Sequence, residues 1–157
     1  YEKKIYFLPQ LMAAAQTMEK GMDYIEPLLK KNAAQSKGKI ILATVQGDVH
    51  DIGKNIVGLL MKNYGYEVVD LGKDVSAQFI VNAALKEKPD IIGLSALMTT
   101  TMVNMKEVIS LARDRGIKTD FLIGGAVVTQ AYAQSIGAHY AADGVQAVKT
   151  ADKLIKK

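Results

Sequence analysis

The sequence predicts a doubly wound α/β domain on a five-stranded parallel sheet, preceded by a helical segment. Three observations predict it. From Lys39 onward, short apolar runs alternate five times with stretches of helical periodicity. The runs are too uniformly apolar for a sheet with one wet face, so both faces are covered, as in parallel sheets. Right-handed crossovers then place helices on both sides. With 157 residues, 49% hydrophobic and 23% charged, the chain has the make-up of about one domain with a sizeable core.

Residues 1–36 hold no strand-like run. Leu8, Leu11, Met12, Ala15, Met18, Met22 and Ile25 recur at helical spacing. Pro9 suits a first helical turn, where its missing N–H leaves no bond unmade. Pro27 suits a bend or the start of a second helix. Residues 32–38 are small and polar and read as a linker, which divides the chain into 1–36 and 37–157. Residues 40–45 form the first strand, and 52–64 a helix stopped by Gly65. Residues 67–71 form the second strand. Ser76 is an N-cap for a helix to Lys86, and Pro89-Asp90 is a turn. Residues 91–95 form the third strand, followed by a helix over 102–115. Residues 120–123 form the fourth strand, ending at Gly124-Gly125. A helix over 129–136, a short strand over 139–142 and a helix from Val145 complete the count.

Composition excludes several chemistries. Without Cys there are no disulfides, thiolate metal sites or Cys nucleophiles, and His50 and His139 are too few for a multi-His zinc site. No apolar run reaches the roughly 18 residues of a membrane helix. A net charge of +4 with scattered Lys and no Trp gives no argument for nucleic acid. The start, Tyr1-Glu2-Lys3-Lys4, is what a fragment or trimmed chain would show.

In doubly wound sheets ligands bind beyond the carboxyl ends of the strands. The first loop there is Gln46-Gly47-Asp48-Val49-His50-Asp51-Ile52-Gly53. A plain β–α turn explains Gly47 as the bend, Asp51 as a cap and Gly53 as close packing. It leaves unexplained a His at the mouth of the sheet, two residues after an Asp. A ligating imidazole needs its second nitrogen held by an acceptor, and Asp48 can supply one to His50. With no Cys and no second nearby His, the metal must bring most of its own ligands, as in a macrocyclic cofactor. The second loop, Ser95-Ala96-Leu97-Met98-Thr99-Thr100-Thr101, carries more hydroxyls than the one a helix cap requires. The third is Gly124-Gly125-Ala126. Gly53, Ser95, Gly124 and Gly125 together leave a slot for a flat, polar-edged group.

Asp48-x-His50-x-x-Gly53, then 41 residues to Ser95-x-Leu97, then 26 residues to Gly124-Gly125, resembles the signature of the cobalamin-binding (corrinoid-binding) domain. The resemblance spans the chain: residues 37–157 look like its Rossmann-like, flavodoxin-like domain, and residues 1–36, with Phe7-Leu8-Pro9-Gln10-Leu11, like the end of its helical cap. It implies a cytoplasmic corrinoid protein of a methyltransferase system. Such a protein carries a methyl group on cobalt between donor and acceptor methyltransferase subunits, with a reductive activase as a further partner. It would not be catalytically complete alone.

The resemblance implies a cobalamin or related corrinoid bound with its base displaced and His50 as lower axial ligand. Asp48 and Thr101 complete a proton relay, so that His50 takes up a proton when it leaves cobalt. Gly47, Val49, Asp51, Ile52 and Gly53 lie around the ligand. Ser95 and Thr99 match positions that contact the nucleotide tail, Leu97 and Met98 positions against the cofactor, and Gly124, Gly125 and Ala126 flank the slot. Ala142, Asp143 and Gly144 close its far end.

An excised cobalamin module of methionine synthase is the alternative. A mutase module, a cobalamin-dependent regulator and a cofactor-free response-regulator-like fold fit less well. The preceding Leu/Met-rich segment argues against the first, since mutase modules are joined to a barrel; the second needs a DNA-binding or signalling domain; the third leaves the His and Gly spacing unexplained. Core packing is the expectation for Met98, Met102 and Met105, an edge position for His139, and solvent exposure for Lys54, whose helix N-terminus also suits a phosphate.

Overall fold

A computed structural model describes residues 10, 13, 14, 16, 17, 20, 21, 24 and 36–155. The chain divides into two units, Tyr1–Gln35 and Ser36–Lys157. In the first, the described residues are helical, and the Thr17 hydroxyl donates to the Ala13 carbonyl at 2.7 Å. The apolar positions expected to set that segment's helical face, with Phe7, Pro9 and Pro27, lie outside the described residues.

The second unit is a five-stranded, all-parallel sheet in the order β2-β1-β3-β4-β5. Its strands are β1 (Lys39–Thr44), β2 (Glu67–Asp70), β3 (Ile91–Ser95), β4 (Asp120–Gly124) and β5 (His139–Tyr140). Its helices are α1 (Ile52–Asn63), α2 (Ala77–Glu87), α3 (Thr99–Met102), α4 (Asn104–Asp114), α5 (Gln130–Ser135) and α6 (Gly144–Ile155). The doubly wound fold expected from the alternation of runs is the fold observed, and its strand order is the flavodoxin-like one that the resemblance implies.

The two-residue period of a strand explains the layering. In β1, Ile40 and Leu42 face a core shared with Met61 of α1 and Ala147, Val148 and Ala151 of α6. Ile41, Ala43 and Val45 face the opposite core, with Ile80 and Val81 of α2, Met105 and Val108 of α4, and Ala133 of α5. Burying each large aliphatic side chain contributes roughly 1.5–3 kcal/mol. Both faces are therefore needed, which is why β1, β3 and β4 read as unbroken apolar runs.

Sequence order reverses between β1 and β3, so the crossovers leave on opposite faces and a crevice opens at the carboxyl ends of these two strands.

Several local expectations change. The helix expected over 102–115 is two helices, α3 beginning at Thr99 and α4 at Asn104. The Tyr132 hydroxyl donates to the Met102 carbonyl at 2.8 Å, and the Lys106 amide turns instead to Val103 at 3.2 Å. The helical ladder is thereby interrupted at Val103. No Thr hydroxyl caps α3, whose N-cap residue is Met98, and the Asp51 side chain makes no cap bond to α1. Ser76 caps α2 as expected, accepting from the Phe79 amide at 3.3 Å. The last strand stops at Tyr140, and α6 begins at Gly144, where Asp143 accepts from the Gln146 amide at 2.8 Å. Among the described residues no helix is long and apolar enough to cross a membrane.

Candidate functional site

The site begins where β1 runs out. Gly47 has φ +80°, a left-handed conformation that glycine adopts without a Cβ penalty. The resulting turn drives Asp48 inward, to 0% exposure, and leaves His50 at the surface with 47% of its side chain accessible.

Asp48 is saturated with donors. Its Oδ1 accepts from the His50 amide at 3.0 Å and faces His50 Nδ1 at 2.8 Å. Its Oδ2 accepts from the Thr101 hydroxyl at 2.6 Å, the Leu97 amide at 2.7 Å and the Met98 amide at 3.4 Å. Burial alone would raise this carboxyl. The bonds from Thr101, Leu97 and His50 outweigh burial and hold it well below the usual carboxylate range. Asp48 is therefore an anion at neutral pH and can only accept.

That fixes the imidazole. Nδ1 must donate to Asp48, so neutral His50 carries its lone pair on Nε2. This nitrogen has no partner among the described residues. The chain Thr101–Asp48–His50 thus delivers one oriented nitrogen lone pair to the rim of the crevice. The Thr44 hydroxyl steadies the same segment by donating to the His50 carbonyl at 3.4 Å.

The surroundings suit a large, flat, partly apolar group. Val49 and Ile52 flank His50 in sequence and are exposed. So are Leu97 and Met98, whose amides bind Asp48. Exposed apolar side chains beside a polar group can receive a partly apolar ligand. A Cβ built on Gly53 would meet nothing within 4 Å, so the space beside α1 is open. A metal-bearing macrocycle that supplies its own equatorial ligands fits this donor set. Among the described residues there is no cluster of three His, Cys, Asp or Glu that could hold a bare ion.

The structure brings the first three loops into one rim. Ser95 pairs with Gly124, and the Ala96 amide donates to the Gly124 carbonyl at 3.3 Å. Gly125 has φ +136°, and a Cβ there would lie 1.8 Å from the Ala96 carbonyl oxygen. At Gly125 the missing side chain therefore admits the β3 loop. Gly124 similarly abuts the Ala141 carbonyl, 2.9 Å from where its Cβ would sit, and so joins the β5 end to the rim. Ala126, Thr99, Ala142 and Asp143 are exposed; Gly144 packs toward Leu60, and Asp51 is half-buried.

Lys54 departs from expectation. It is 5% exposed, and its ammonium donates to Asp70 at 2.6 and 2.5 Å and to Asn55 at 2.7 Å. With three donors engaged it has none left for a phosphate. The neighbouring carboxylate of β2 drew it in, a contact that its position in sequence does not reveal. Met105 is core as expected, whereas Met98 is exposed at the rim. His139 lies on edge strand β5, 3.3 Å from Asp120.

Two residues that the sequence reading passed over touch the turn itself. Asp74 accepts from the Gly47 amide at 2.7 Å, and Asn104 donates to the Gln46 carbonyl at 2.8 Å. A carboxylate at the carboxyl end of β2 was the available signal for Asp74; nothing local marks Asn104.

Comparison with known proteins bears on the same residues. The B12 binding domain family model matches residues 38–151. The chain is 42% identical over 157 residues to a corrinoid protein of Desulfitobacterium hafniense, covering 96% of this chain and 73% of that one. It is 43% identical over 159 residues to dimethylamine corrinoid protein 3 of Methanosarcina mazei, covering 99% and 95%. Among solved structures it resembles a chain of the methanol:cobalamin methyltransferase complex MtaBC from Methanosarcina barkeri. There the TM-score is 0.77 at 40% identity, covering 99% of this chain and 60% of that one.

Proposed function

Since this chain belongs to the B12-binding domain family and its cofactor is a corrinoid of the cobalamin kind, we propose that it is a methyl carrier that holds the cofactor base-off with His50 as lower ligand. One observation carries the finer reading: a buried, ionised Asp48 fixes the His50 proton on Nδ1 and leaves the Nε2 lone pair at the rim. When bound, the cobalt supplies a site that accepts a methyl group from a donor and gives it up as a methyl-cation equivalent.

The rest falls to the chain's own residues. His50 offers Nε2 as the lower ligand. Asp48 would keep the ring turned by holding Nδ1 at 2.8 Å while Nε2 faces the cofactor. Thr101 keeps Asp48 oriented. Val49, Ile52, Leu97 and Met98 would receive the lower face of the macrocycle. The displaced nucleotide tail would run past Gly53 and along the rim formed by Ser95, Thr99, Gly124, Gly125 and Ala126, toward Ala142, Asp143 and Gly144. Support for this path is the open space at Gly53 and the continuity of the loops.

Separate donor and acceptor methyltransferase subunits would use the carrier in turn, with a reductive activase returning oxidised cofactor to service. Relatives named for dimethylamine, and a similar structure from a methanol system, favour a methyl donor with the group on nitrogen or oxygen.

The test is reconstitution with hydroxocobalamin followed by desalting. The wild-type chain should remain coloured. His50→Ala should retain the corrinoid but change its absorbance spectrum. An unchanged spectrum removes His50 from the coordination sphere.

A further inference from the structure

The segment carrying Asp48 and His50 is not held by its own strand alone. The Asp48 amide donates to the Val45 carbonyl at 3.1 Å, a bond within the turn. Besides this bond and the Thr44 and His50 bonds already described, supports come from other elements. From the β2–α2 loop, Asp74 accepts from the Gly47 amide at 2.7 Å, and its own amide donates to the Asp48 carbonyl at 3.0 Å. From the first residue of α4, the Asn104 side chain donates to the Gln46 carbonyl at 2.8 Å. Three consecutive residues, 46, 47 and 48, are thus each gripped from outside, on two sides.

Asp74 accepts an unusual backbone to do this. Its φ is +54°, one of two non-glycine residues with positive φ among those described. Asp is one of the few side chains that visit this region with tolerable penalty. The conformation brings both its amide and its carboxylate to the turn. Asn104 sits where the helix breaks at Val103, so α4 starts with its first side chain directed back to the β1 loop. Neither residue touches His50 or the crevice in any described bond.

We propose that Asp74 and Asn104 are positioning residues for His50, a two-sided latch that sets where the β1 turn presents Nε2. This rests on His50 being the ligand. A ligand nitrogen displaced by as little as about 1 Å loses its bond length and its alignment, so the latch acts on the balance between ligated and free imidazole.

The test uses the whole chain and two readouts. Asp74→Gly removes the carboxylate acceptor while relieving the backbone. Asp74→Asn keeps both an acceptor oxygen and tolerance of positive φ. In cofactor-free protein, Asp74→Gly should speed hydrogen exchange at the Gly47 amide at least 10-fold, and Asp74→Asn should leave it near wild type. In protein loaded with hydroxocobalamin, Asp74→Gly should shift absorbance part of the way toward the His50→Ala spectrum, and Asp74→Asn should not.

An Asp74→Gly protein matching wild type in both readouts overturns the latch. So does faster exchange with an unchanged spectrum, which reduces Asp74 to local structure. Loss of both readouts in Asp74→Asn overturns the assignment to a hydrogen bond. If Asp74→Gly does not fold, Asn104→Ala carries the same two readouts, at the Asp48 amide and the spectrum. Should His50→Ala itself leave the spectrum unchanged, the ligand assignment fails instead, and the exchange result still judges the grip on the turn.

Discussion

Thr101 anchors the hydrogen-bond chain to Asp48 and His50. Its hydroxyl meets a fully buried carboxylate at 2.6 Å, and the methyl group beside that hydroxyl is accommodated at 5% exposure. Thr101→Val keeps the shape and deletes the donor. It should cost about 1–3 kcal/mol in urea denaturation of the cofactor-free chain, because Asp48 Oδ2 loses its shortest bond. Thr101→Ser should recover most of that loss. A Val variant as stable as wild type would show that the Leu97 and Met98 amides suffice. Gly53 makes the opposite case. It lies in the first turn of α1, and a Cβ there meets nothing. Gly53→Ala should stabilise the cofactor-free chain by about 0.5 kcal/mol through helix propensity. It should also weaken corrinoid retention on desalting if the tail passes that point. Equal retention would move the tail elsewhere.

At the scale of elements, the rim depends on how closely the ends of β3 and β4 approach. Gly125→Ala would drive a Cβ into the Ala96 carbonyl at a backbone angle that side chains rarely adopt. A loss of roughly 3 kcal/mol or more, or failure to fold, is expected by chemical denaturation. At the opposite end, the buried Tyr66 hydroxyl ties β2 to α6 by donating to Asp152 at 2.6 Å. Burial first, then the Asp152 carboxylate, raise this phenol above its ordinary value. A raised folded value means the contribution is complete below the unfolded value of about 10 and is lost as pH rises through the folded one. Tyr66→Phe should cost about 1 kcal/mol at neutral pH and lessen the fall in stability on the alkaline side. An unaltered alkaline profile would place that fall elsewhere.

The elements also show what was legible in sequence. Strands β1, β3 and β4 were readable because burial on both faces leaves no polar residue to interrupt the run. The Asp-x-His-x-x-Gly loop was readable because its residues lie only two to five apart within one turn. The break at Val103 was not, because its cause, Tyr132, lies 29 residues later in sequence. Lys54 and Asp74 escaped for the same reason: their partners sit on neighbouring strands and loops, and charge next to a helix start reads as solvated until the packing is known.

For the molecule as a whole, the order β2-β1-β3-β4-β5 places the His50 imidazole at the switch point between β1 and β3, with the Leu97 amide and Thr101 delivered by the segment that follows β3. The fold brings the parts of the Thr101–Asp48–His50 hydrogen-bond chain together across 53 residues of sequence. What it achieves is a lone pair aimed outward and a proton held inward. Low-temperature electron paramagnetic resonance of the chain loaded with cob(II)alamin reads that arrangement directly, since a nitrogen ligand splits each cobalt line. Triplets should appear with natural-abundance histidine, collapse to doublets when the chain alone is grown with 15N-histidine, and vanish in His50→Ala. Triplets that persist unchanged in the labelled chain would mean the nitrogen on cobalt comes from the cofactor's own base, and would contradict the account.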